Sequence, residues 1–328
     1  MYNKISLSFK SLENSLIRKK AQKLVIKIIV SIVRYLFLIA VGYIVLYPLF
    51  YMVSASLKPA GDFIDPSVVW IPKALSVESY KIAFEALDFG KSLFSTLTLQ
   101  IFSAFIEIFV CLIVAYGFAR FRLKEKKILY VFLILSILVP TPMIIIPLMD
   151  NFKNLDFLGI FWLLGKITST ELRPDLLNTP FAFYLPSLLG VGLRSGIIIF
   201  ICIQFFKGLP KELEEAAYID GANPLKTYFR VIVPSSGVAI LTVTIFSVIW
   251  HWNEYFQPVM FLSEKYPLAV SLSEISGSLE GMGHLPLSSF TQGIIMAACV
   301  IFIAPMLVLY LILQKWFIAS IDRIGIVG

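Results

Sequence analysis

Residues 93–119 read LFSTLTLQIFSAFIEIFVCLIVAYGFA, an apolar run that a single charged residue, Glu107, interrupts. An α-helix rises about 1.5 Å per residue and the hydrocarbon core of a bilayer is about 30 Å thick, so this run is long enough to cross it. The run therefore predicts a membrane-spanning helix. A carboxyl group in the middle of such a helix is costly without partners, which makes Glu107 a candidate functional residue.

Other apolar blocks of similar length occur along the chain. The sequence is 58% hydrophobic and 15% charged, whereas roughly a quarter of the residues of a soluble protein are charged. Such a chain has too little polar surface to cover its apolar residues in water. We therefore predict an all-α membrane protein with six transmembrane helices, at Ile32–Met52, Leu93–Ala119, Ile128–Met149, Ser187–Phe206, Val238–Leu262 and Ile294–Leu313.

The distribution of basic residues predicts the orientation of these helices. Eighteen of the 28 Lys and Arg residues fall in residues 1–31, 120–127, 207–237 and the C-terminal tail. Nine fall in the other three connections, counting Arg194 at the start of the fourth block. Cytoplasmic connections are enriched in Lys and Arg, so both termini are expected to be cytoplasmic. The net charge of +7 thus indicates membrane orientation, and nucleic acid is not expected as a partner.

The predicted helices and the charge distribution divide the chain into two regions. Residues 1–31 form a basic N-terminal tail, either an amphipathic helix on the inner leaflet or a solvated, partly ordered segment. Residues 32–328 form the transmembrane domain. The three cysteines, Cys111, Cys202 and Cys299, lie in separate apolar blocks without metal-ligand or redox spacing, so they are interpreted as small buried apolar residues.

The most informative connection is residues 207–237, which begins KGLPKELEEAAYIDGANPLKTYFRVIVP. Pro210 and the three following glutamates are typical of a helix start. Asp220-Gly221 predicts its end, because glycine readily takes a left-handed conformation there. Asn223-Pro224 begins a second short helix, which Pro234 closes before the fifth block. Two short helices around a glycine turn predict a rigid protrusion suited to docking into another protein.

This connection resembles the cytoplasmic signature of binding-protein-dependent ABC importer permeases. In that family Glu-Ala-Ala is followed after three residues by Gly, and after nine more by Ile-x-Leu-Pro. The chain has Glu215-Ala216-Ala217, Gly221 and Val231-Ile232-Val233-Pro234. Only two aliphatic substitutions separate it from the pattern.

The resemblance extends over roughly residues 40–328 and is strongest to the carbohydrate-uptake branch, including the smaller permease of the maltose importer. The long N-terminal tail and an apparent insertion near residues 161–180 depart from that branch. The similar segments are Tyr47–Leu49, Ser54–Pro59, Ala115–Phe121, Val139-Pro140, Ile146–Leu148, Phe205–Pro210 and Trp252–Tyr255.

The resemblance implies a non-catalytic transport subunit in a prokaryotic plasma membrane. Two permeases, here expected to be different chains, pair around a central path for a sugar or oligosaccharide. Two copies of a cytoplasmic ATPase bind ATP-Mg, and an extracytoplasmic protein delivers the sugar. The expected contacts with the ATPase are Glu215, Ala216, Ala217, Asp220, Gly221 and Pro234.

Two further candidate sites leave alternatives open. Glu107 either faces a polar path and binds a sugar hydroxyl, or is a protonated or paired carboxyl packed between helices. The outer half of the fifth block is either a substrate lining or an aromatic belt with helix–helix hydrogen bonds. The aromatic and polar residues there are Trp250, His251, Trp252, Asn253, Glu254, Tyr255 and Gln257. Of these, Trp252, Asn253, Glu254 and Tyr255 are the candidate path residues.

Other chemistry is not expected. A phosphate loop needs four residues between its glycines and Ser or Thr after its lysine, but Gly159 and Gly165-Lys166 are separated by five and Ile167 follows. ATP should therefore bind to a separate subunit. No catalytic arrangement is evident, and His251 and His284 lack the neighbours of a metal site. The remaining alternatives are a permease for a non-sugar solute and a secondary transporter.

Overall fold

A computed structural model of the chain describes residues 2–121, 124–156, 159–168, 173–285 and 288–324, with side chains between residues 23 and 315. These residues form helices, turns and loops without any strand. The α-helices, in chain order, are α1 Tyr2–Ser56, α2 Glu78–Ala86, α3 Phe89–Ser95, α4 Phe102–Arg120, α5 Lys126–Leu138, α6 Thr141–Lys153, α7 Ile160–Thr168, α8 Phe181–Leu188, α9 Ser195–Gly208, α10 Glu212–Ile219, α11 Pro224–Thr227, α12 Val233–Ser235, α13 Gly237–Trp252, α14 Phe256–Phe261, α15 Leu268–Ser273, α16 Ile275–Gly281 and α17 Ser289–Ile324.

The first and sixth apolar blocks lie in the long helices α1 and α17. Helix α1 continues from Tyr2 across the predicted boundary at residue 31. From Lys23 onward it is exposed along most of its length, and it packs against α17. Residues 1–31 were predicted to be either an amphipathic helix or a solvated segment. That choice depends on side chains that are largely outside the described ones. Arg122, and residues 169–172 of the predicted insertion, also lie outside the described residues.

The second apolar block forms a continuous helical stretch, as predicted. Helices α3 and α4 are joined by a π-helical turn at Thr96–Ile101, and together they run from Phe89 to Arg120. Helix α4 packs extensively against α9 and also contacts α8 and α13. It is therefore the central helix of the bundle, and its middle, which contains Glu107, is surrounded by protein.

The third apolar block, predicted as a span over Ile128–Met149, forms two helices with a bend between them. Helices α5 and α6 meet at an angle of 103° around Val139-Pro140. Proline forces the preceding residue out of the helical region, and Val139 has φ −77° and ψ 115°. Pro140 also lacks the N–H that would continue the hydrogen-bond ladder.

The fourth and fifth blocks also depart from the predicted helix limits. The predicted start at Ser187 is too early, because α8 ends at Leu188 and α9 begins only at Ser195. The turn between them contains Gly190 at φ +71° and Arg194 at φ +60°, which helices exclude. The fifth block ends its main helix at Trp252, ten residues before the predicted limit at Leu262, and the short α14 follows.

By length and composition, three described helices can cross a membrane: Lys23–Ser56, Phe89–Arg120 and Ser289–Lys315. Counting each bent pair as one span adds α5 with α6, and the helical run Pro224–Ser235 with α13, for up to five. Helix α9 is apolar but shorter. The chain is thus an all-α, multi-pass membrane protein, and the count of six spans stays a prediction.

Buried side chains form clusters at both ends of the bundle. One cluster joins α4, α9 and α13 near residues 207–237 and includes Tyr116, Phe206 and Ile232. At the opposite end, the small helices α2, α15 and α16 pack on α17 through residues such as Leu268 and Leu279. The connection at residues 207–237 therefore projects from a packed end of the bundle.

Candidate functional site

Residues 207–237 are called here the coupling segment, after the role that their resemblance implies, and their glycine turn has the predicted geometry. Helix α10 ends at Ile219, and Gly221 follows with φ +77°. The Gly221 N–H donates to the Tyr218 carbonyl at 3.0 Å, and the Ala222 N–H donates to the Ala217 carbonyl at 2.9 Å. These two bonds form a Schellman ending, which needs a residue that accepts a left-handed conformation. The prediction of a turn at Asp220-Gly221 is confirmed.

The second short helix of the coupling segment begins as predicted at Asn223-Pro224. The Asn223 Oδ1 accepts the N–H of Lys226 at 2.8 Å, which satisfies a donor that the first turn of a helix leaves free. The helical run continues to Ser235, one residue beyond Pro234, and then bends by 79° into α13. The coupling segment is therefore a defined helix–turn–helix protrusion between α9 and α13.

A buried ion pair fastens the coupling segment to the bundle, and sequence reasoning did not find it. The Arg120 Nε lies 2.5 Å from the Glu214 Oε1, and the two side chains are only 7% and 10% exposed. The Arg120 Nη2 also donates to the Leu209 carbonyl at 2.9 Å. Because Arg120 is the last residue of α4, this contact ties α10 directly to the central helix.

The outward face of the coupling segment is both charged and apolar. Of the predicted ATPase contacts, Ala217 is buried, whereas Glu215, Ala216, Asp220, Gly221 and Pro234 are exposed. Ile219 is 87% exposed and Leu225 is 70% exposed. Contiguous exposed apolar patches mark interaction sites, and these two side chains flank the glycine turn on the protrusion. Sequence reasoning missed these two residues, although their position on each side of Gly221 was a usable signal.

Glu107 is fully buried between α4, α9 and α13. Its Oε1 accepts a short hydrogen bond from the Ser195 hydroxyl, and its Oε2 accepts one from the Ser247 hydroxyl at 3.1 Å. The His251 Nε2 lies 3.8 Å from Oε2. A Cβ added at Gly192 would lie 2.9 Å from the Glu107 Oε1, so glycine at residue 192 allows this close packing.

These contacts favour the packed alternative for Glu107. The His251 Nδ1 lies 2.9 Å from the Ser247 carbonyl, and a carbonyl only accepts, so Nδ1 carries a proton. One additional proton on either Glu107 or the His251 Nε2 leaves the pair without net charge, which a buried site requires. The partners of Glu107 are 88 and 140 residues away in sequence, which explains why sequence reasoning did not identify them.

We expect Glu107→Leu to destabilise the chain, because the Ser195 and Ser247 hydroxyls lose their shared acceptor. Leaving buried donors unpaired costs about 1–3 kcal/mol. Glu107→Gln, the matched control, keeps an acceptor oxygen of the same shape and should lose much less. Thermal unfolding of both variants, followed by tryptophan fluorescence in detergent, measures the difference. A Glu107→Leu protein of parental stability that loses transport would favour the path alternative.

The predicted residues at the end of α13 do not share one environment. Trp252 is 2% exposed, and its indole N–H donates to the Phe302 carbonyl of α17 at 3.2 Å. Asn253 and Tyr255 are exposed, and Glu254 is half-buried with its Oε1 accepting the Gln257 N–H at 2.9 Å. The packing alternative accounts for Trp252, while Asn253, Glu254 and Tyr255 remain accessible on this chain.

The described residues contain no group of three or more His, Cys, Asp and Glu side chains able to hold a metal ion. Cys111 and Cys202 are buried and Cys299 is half-buried, each as a free thiol. The interpretation of the cysteines as small buried residues therefore fits the two in α4 and α9 most closely.

The fold resembles that of a solved bacterial ABC transporter described as involved in the import of the acidic polysaccharide alginate. The TM-score is 0.67 at 23% identity, and the match covers 88% of this chain and 96% of that one. Because the identity is below 25%, this likeness concerns the fold.

Sequence relatives match along most of the chain. The melibiose/raffinose/stachyose import permease protein MelC of Bacillus subtilis (strain 168) is 30% identical over 284 residues, covering 86% of this chain and 91% of MelC. The polygalacturonan/rhamnogalacturonan transport system permease protein YtcP of the same organism is 28% identical, covering 86% of this chain and 93% of YtcP. The diacetylchitobiose uptake system permease protein NgcG of Streptomyces coelicolor is 24% identical, covering 85% and 83%.

A family model matches about two thirds of the chain. The model for the binding-protein-dependent transport system inner membrane component matches residues 108–323. This range contains most of α4, the coupling segment, α13 and α17. Since the match covers more than half of the chain, the protein belongs to the family of binding-protein-dependent transport system inner membrane components.

Proposed function

We propose that this chain is one permease subunit of a prokaryotic ATP-driven importer for a sugar or oligosaccharide. It forms half of the translocation path with a second, different permease in the plasma membrane. Two copies of a cytoplasmic ATPase bind ATP-Mg, and an extracytoplasmic sugar-binding protein supplies the substrate. The chain itself contributes the path and the coupling to the ATPase.

The observation that carries this proposal is the coupling segment. A Schellman turn at Gly221 and a buried ion pair to α4 make this segment rigid. Its exposed face contains Glu215, Ile219 and Leu225. A protrusion fixed to the central helix can transmit movement of a docked subunit to the bundle, as rigid-body alternating access requires. Glu215, Ala216, Asp220, Gly221 and Pro234 are its proposed contacts, with Ala217 packed beneath.

The substrate class rests on the relatives. MelC, YtcP and NgcG carry names of melibiose, polygalacturonan and diacetylchitobiose transport, and each matches more than four fifths of this chain. The carbohydrates differ in size and charge, so they support a saccharide and do not select one. Both termini are proposed to be cytoplasmic, because the basic connections and the coupling segment then share one side.

Uptake by the complete complex tests the proposal. The chain is co-purified with its second permease and ATPase, reconstituted with ATP inside liposomes, and supplied with the binding protein. The panel contains raffinose, diacetylchitobiose and digalacturonate, with a tripeptide and spermidine as non-sugar probes. We expect ATP-dependent accumulation of at least one saccharide above the level in ATP-free liposomes. Accumulation of the tripeptide or spermidine without any saccharide would show a non-sugar permease.

A further inference from the structure

Arg194 occupies an unusual place at the start of α9. Its backbone is left-handed, with φ 60° and ψ 21°, and its side chain is exposed. The guanidinium carbon lies 4.9 Å from the centroid of the Trp250 ring on α13, a cation–π distance. Sequence reasoning treated Arg194 only as a basic residue at the edge of an apolar block.

The level of Arg194 in the bundle follows from the helices beside it. Helix α9 runs from Ser195 to Gly208, so at about 1.5 Å per residue Arg194 lies about 20 Å above the coupling segment. Ser195 is hydrogen-bonded to Glu107 on α4. Glu107 in turn lies about 20 Å along α4 from Arg120, which agrees with this level. With a hydrocarbon core of about 30 Å, Arg194 lies at membrane depth.

A second polar side chain is exposed on the same face. Phe246 and Trp250 on α13, and Asn253 directly after its last residue, are spaced by four and three residues and so share one side of the helix. The Phe246 and Trp250 rings stack with centroids 5.6 Å apart, and Asn253 is exposed beside them. Glu254 follows Asn253 in the chain and is half-buried. We call Arg194, Trp250 and Asn253 the polar strip.

Lipid is an unsuitable neighbour for the polar strip. A guanidinium at membrane depth is costly when it faces hydrocarbon, and such groups almost always face the bundle interior or a water-filled cavity. Helix α4 provides a contrast, since its exposed residues Phe102, Phe105, Phe109 and Ile113 are all apolar. The exposed face of α4 therefore has the chemistry of a lipid contact, and the face that carries the polar strip does not.

We propose that the polar strip lines the aqueous translocation path and contacts sugar hydroxyls during transport. This proposal rests on the proposed function. One face of the guanidinium is covered by Trp250, which leaves its edge of N–H donors free for hydroxyl oxygens. The Asn253 amide donates to the Ile249 carbonyl at 2.8 Å, which leaves its Oδ1 to accept from a hydroxyl.

Thiol accessibility in the full complex tests the lining without requiring a known substrate. Arg194→Cys and Asn253→Cys are compared with Phe105→Cys, in lipid nanodiscs, using the charged reagent MTSET and the parent chain as baseline. Ser278→Cys and Lys124→Cys report the two sides of the membrane. A reactive thiol must ionise in water, so we expect both strip positions to react about tenfold faster than Phe105→Cys. Equal, slow rates would overturn the proposal, as would reaction only when the chain is isolated from its partner permease.

Charge and substrate effects separate a path-lining role from a structural one. In Asn253→Cys, Arg194→Gln should lower the ratio of anionic MTSES to cationic MTSET rates by about threefold, because one nearby positive charge is removed. During turnover, the saccharides of the uptake panel that are imported should slow modification, and those that are not imported should leave it unchanged. An unchanged rate ratio, or no protection by an imported saccharide, would contradict a contact with sugar. Failure of all uptake would instead refute the proposed function.

Discussion

Glu214→Leu should release the coupling segment from the central helix and sharply reduce ATPase retention by the complex. The variant leaves the Arg120 guanidinium, which is 7% exposed, without its carboxylate partner. Removing one member of a buried ion pair costs about 3 kcal/mol or more. The remaining bond from Arg120 to the Leu209 carbonyl holds the end of α9 and does not hold α10. The measurements are co-purification of the ATPase and thermal unfolding of the complex.

The chain offers two informative controls for this prediction. Glu212 lies on the same short helix and is exposed, so Glu212→Leu removes the same charge without breaking a buried pair and should retain the ATPase. The double variant Arg120→Leu with Glu214→Leu removes both charges, and apolar replacement of a whole buried pair is often tolerated. It should therefore be more stable than Glu214→Leu alone. If Glu214→Leu and Glu212→Leu behave alike, the ion pair does not position the coupling segment.

The parts of the fold that depend on composition and local turn chemistry could be predicted from the sequence. Apolar length indicates membrane helices whatever their neighbours are, because the thickness of the bilayer sets the requirement. The Asp220-Gly221 turn and the Asn223 cap are also local, since all the bonds that define them lie within a few residues.

The helix breaks within the apolar blocks were harder to predict. Pro140 bends the third block by 103°, whereas Pro48 and Pro305 lie inside continuous helices. Membrane helices tolerate proline where neighbouring groups satisfy the freed carbonyls. The consequence of a proline therefore depends on packing that the local sequence does not contain.

The sequence also did not reveal which face of each apolar helix packs against its neighbours. In α13 both sides are apolar or aromatic, so periodicity does not separate the buried Trp252 from the accessible Trp250. For this reason the predicted substrate lining contained both Trp250 and Trp252, and it omitted Arg194. The polar partners of Glu107 could not be predicted either, because only tertiary packing brings Ser195, Ser247 and His251 to it.

Gly221→Val should weaken ATPase binding or uncouple ATP hydrolysis from transport. A Cβ at Gly221 meets no atom within 4 Å, so the cost arises from the backbone and not from crowding. At φ +77° a β-branched residue is strained by about 1–3 kcal/mol, which favours a different turn and a displaced α11. Gly221→Asn should be milder, because asparagine tolerates this conformation. Gly237→Val, at an uncrowded glycine of ordinary φ, is the matched control.

Glu215→Lys tests the docking contact itself. Glu215 is exposed and makes no ion pair among the described residues, so reversing its charge should leave the fold of the chain intact. Glu212→Lys is the matched control, because it makes the same change in the first turn of α10 and carries the same penalty against the helix dipole. In purified complexes in lipid, we expect Glu215→Lys to lose ATPase retention or coupled saccharide uptake well beyond Glu212→Lys. If Gly221→Val and Glu215→Lys both retain the ATPase, hydrolyse ATP and transport as the parent does, residues 207–237 are not the coupling element.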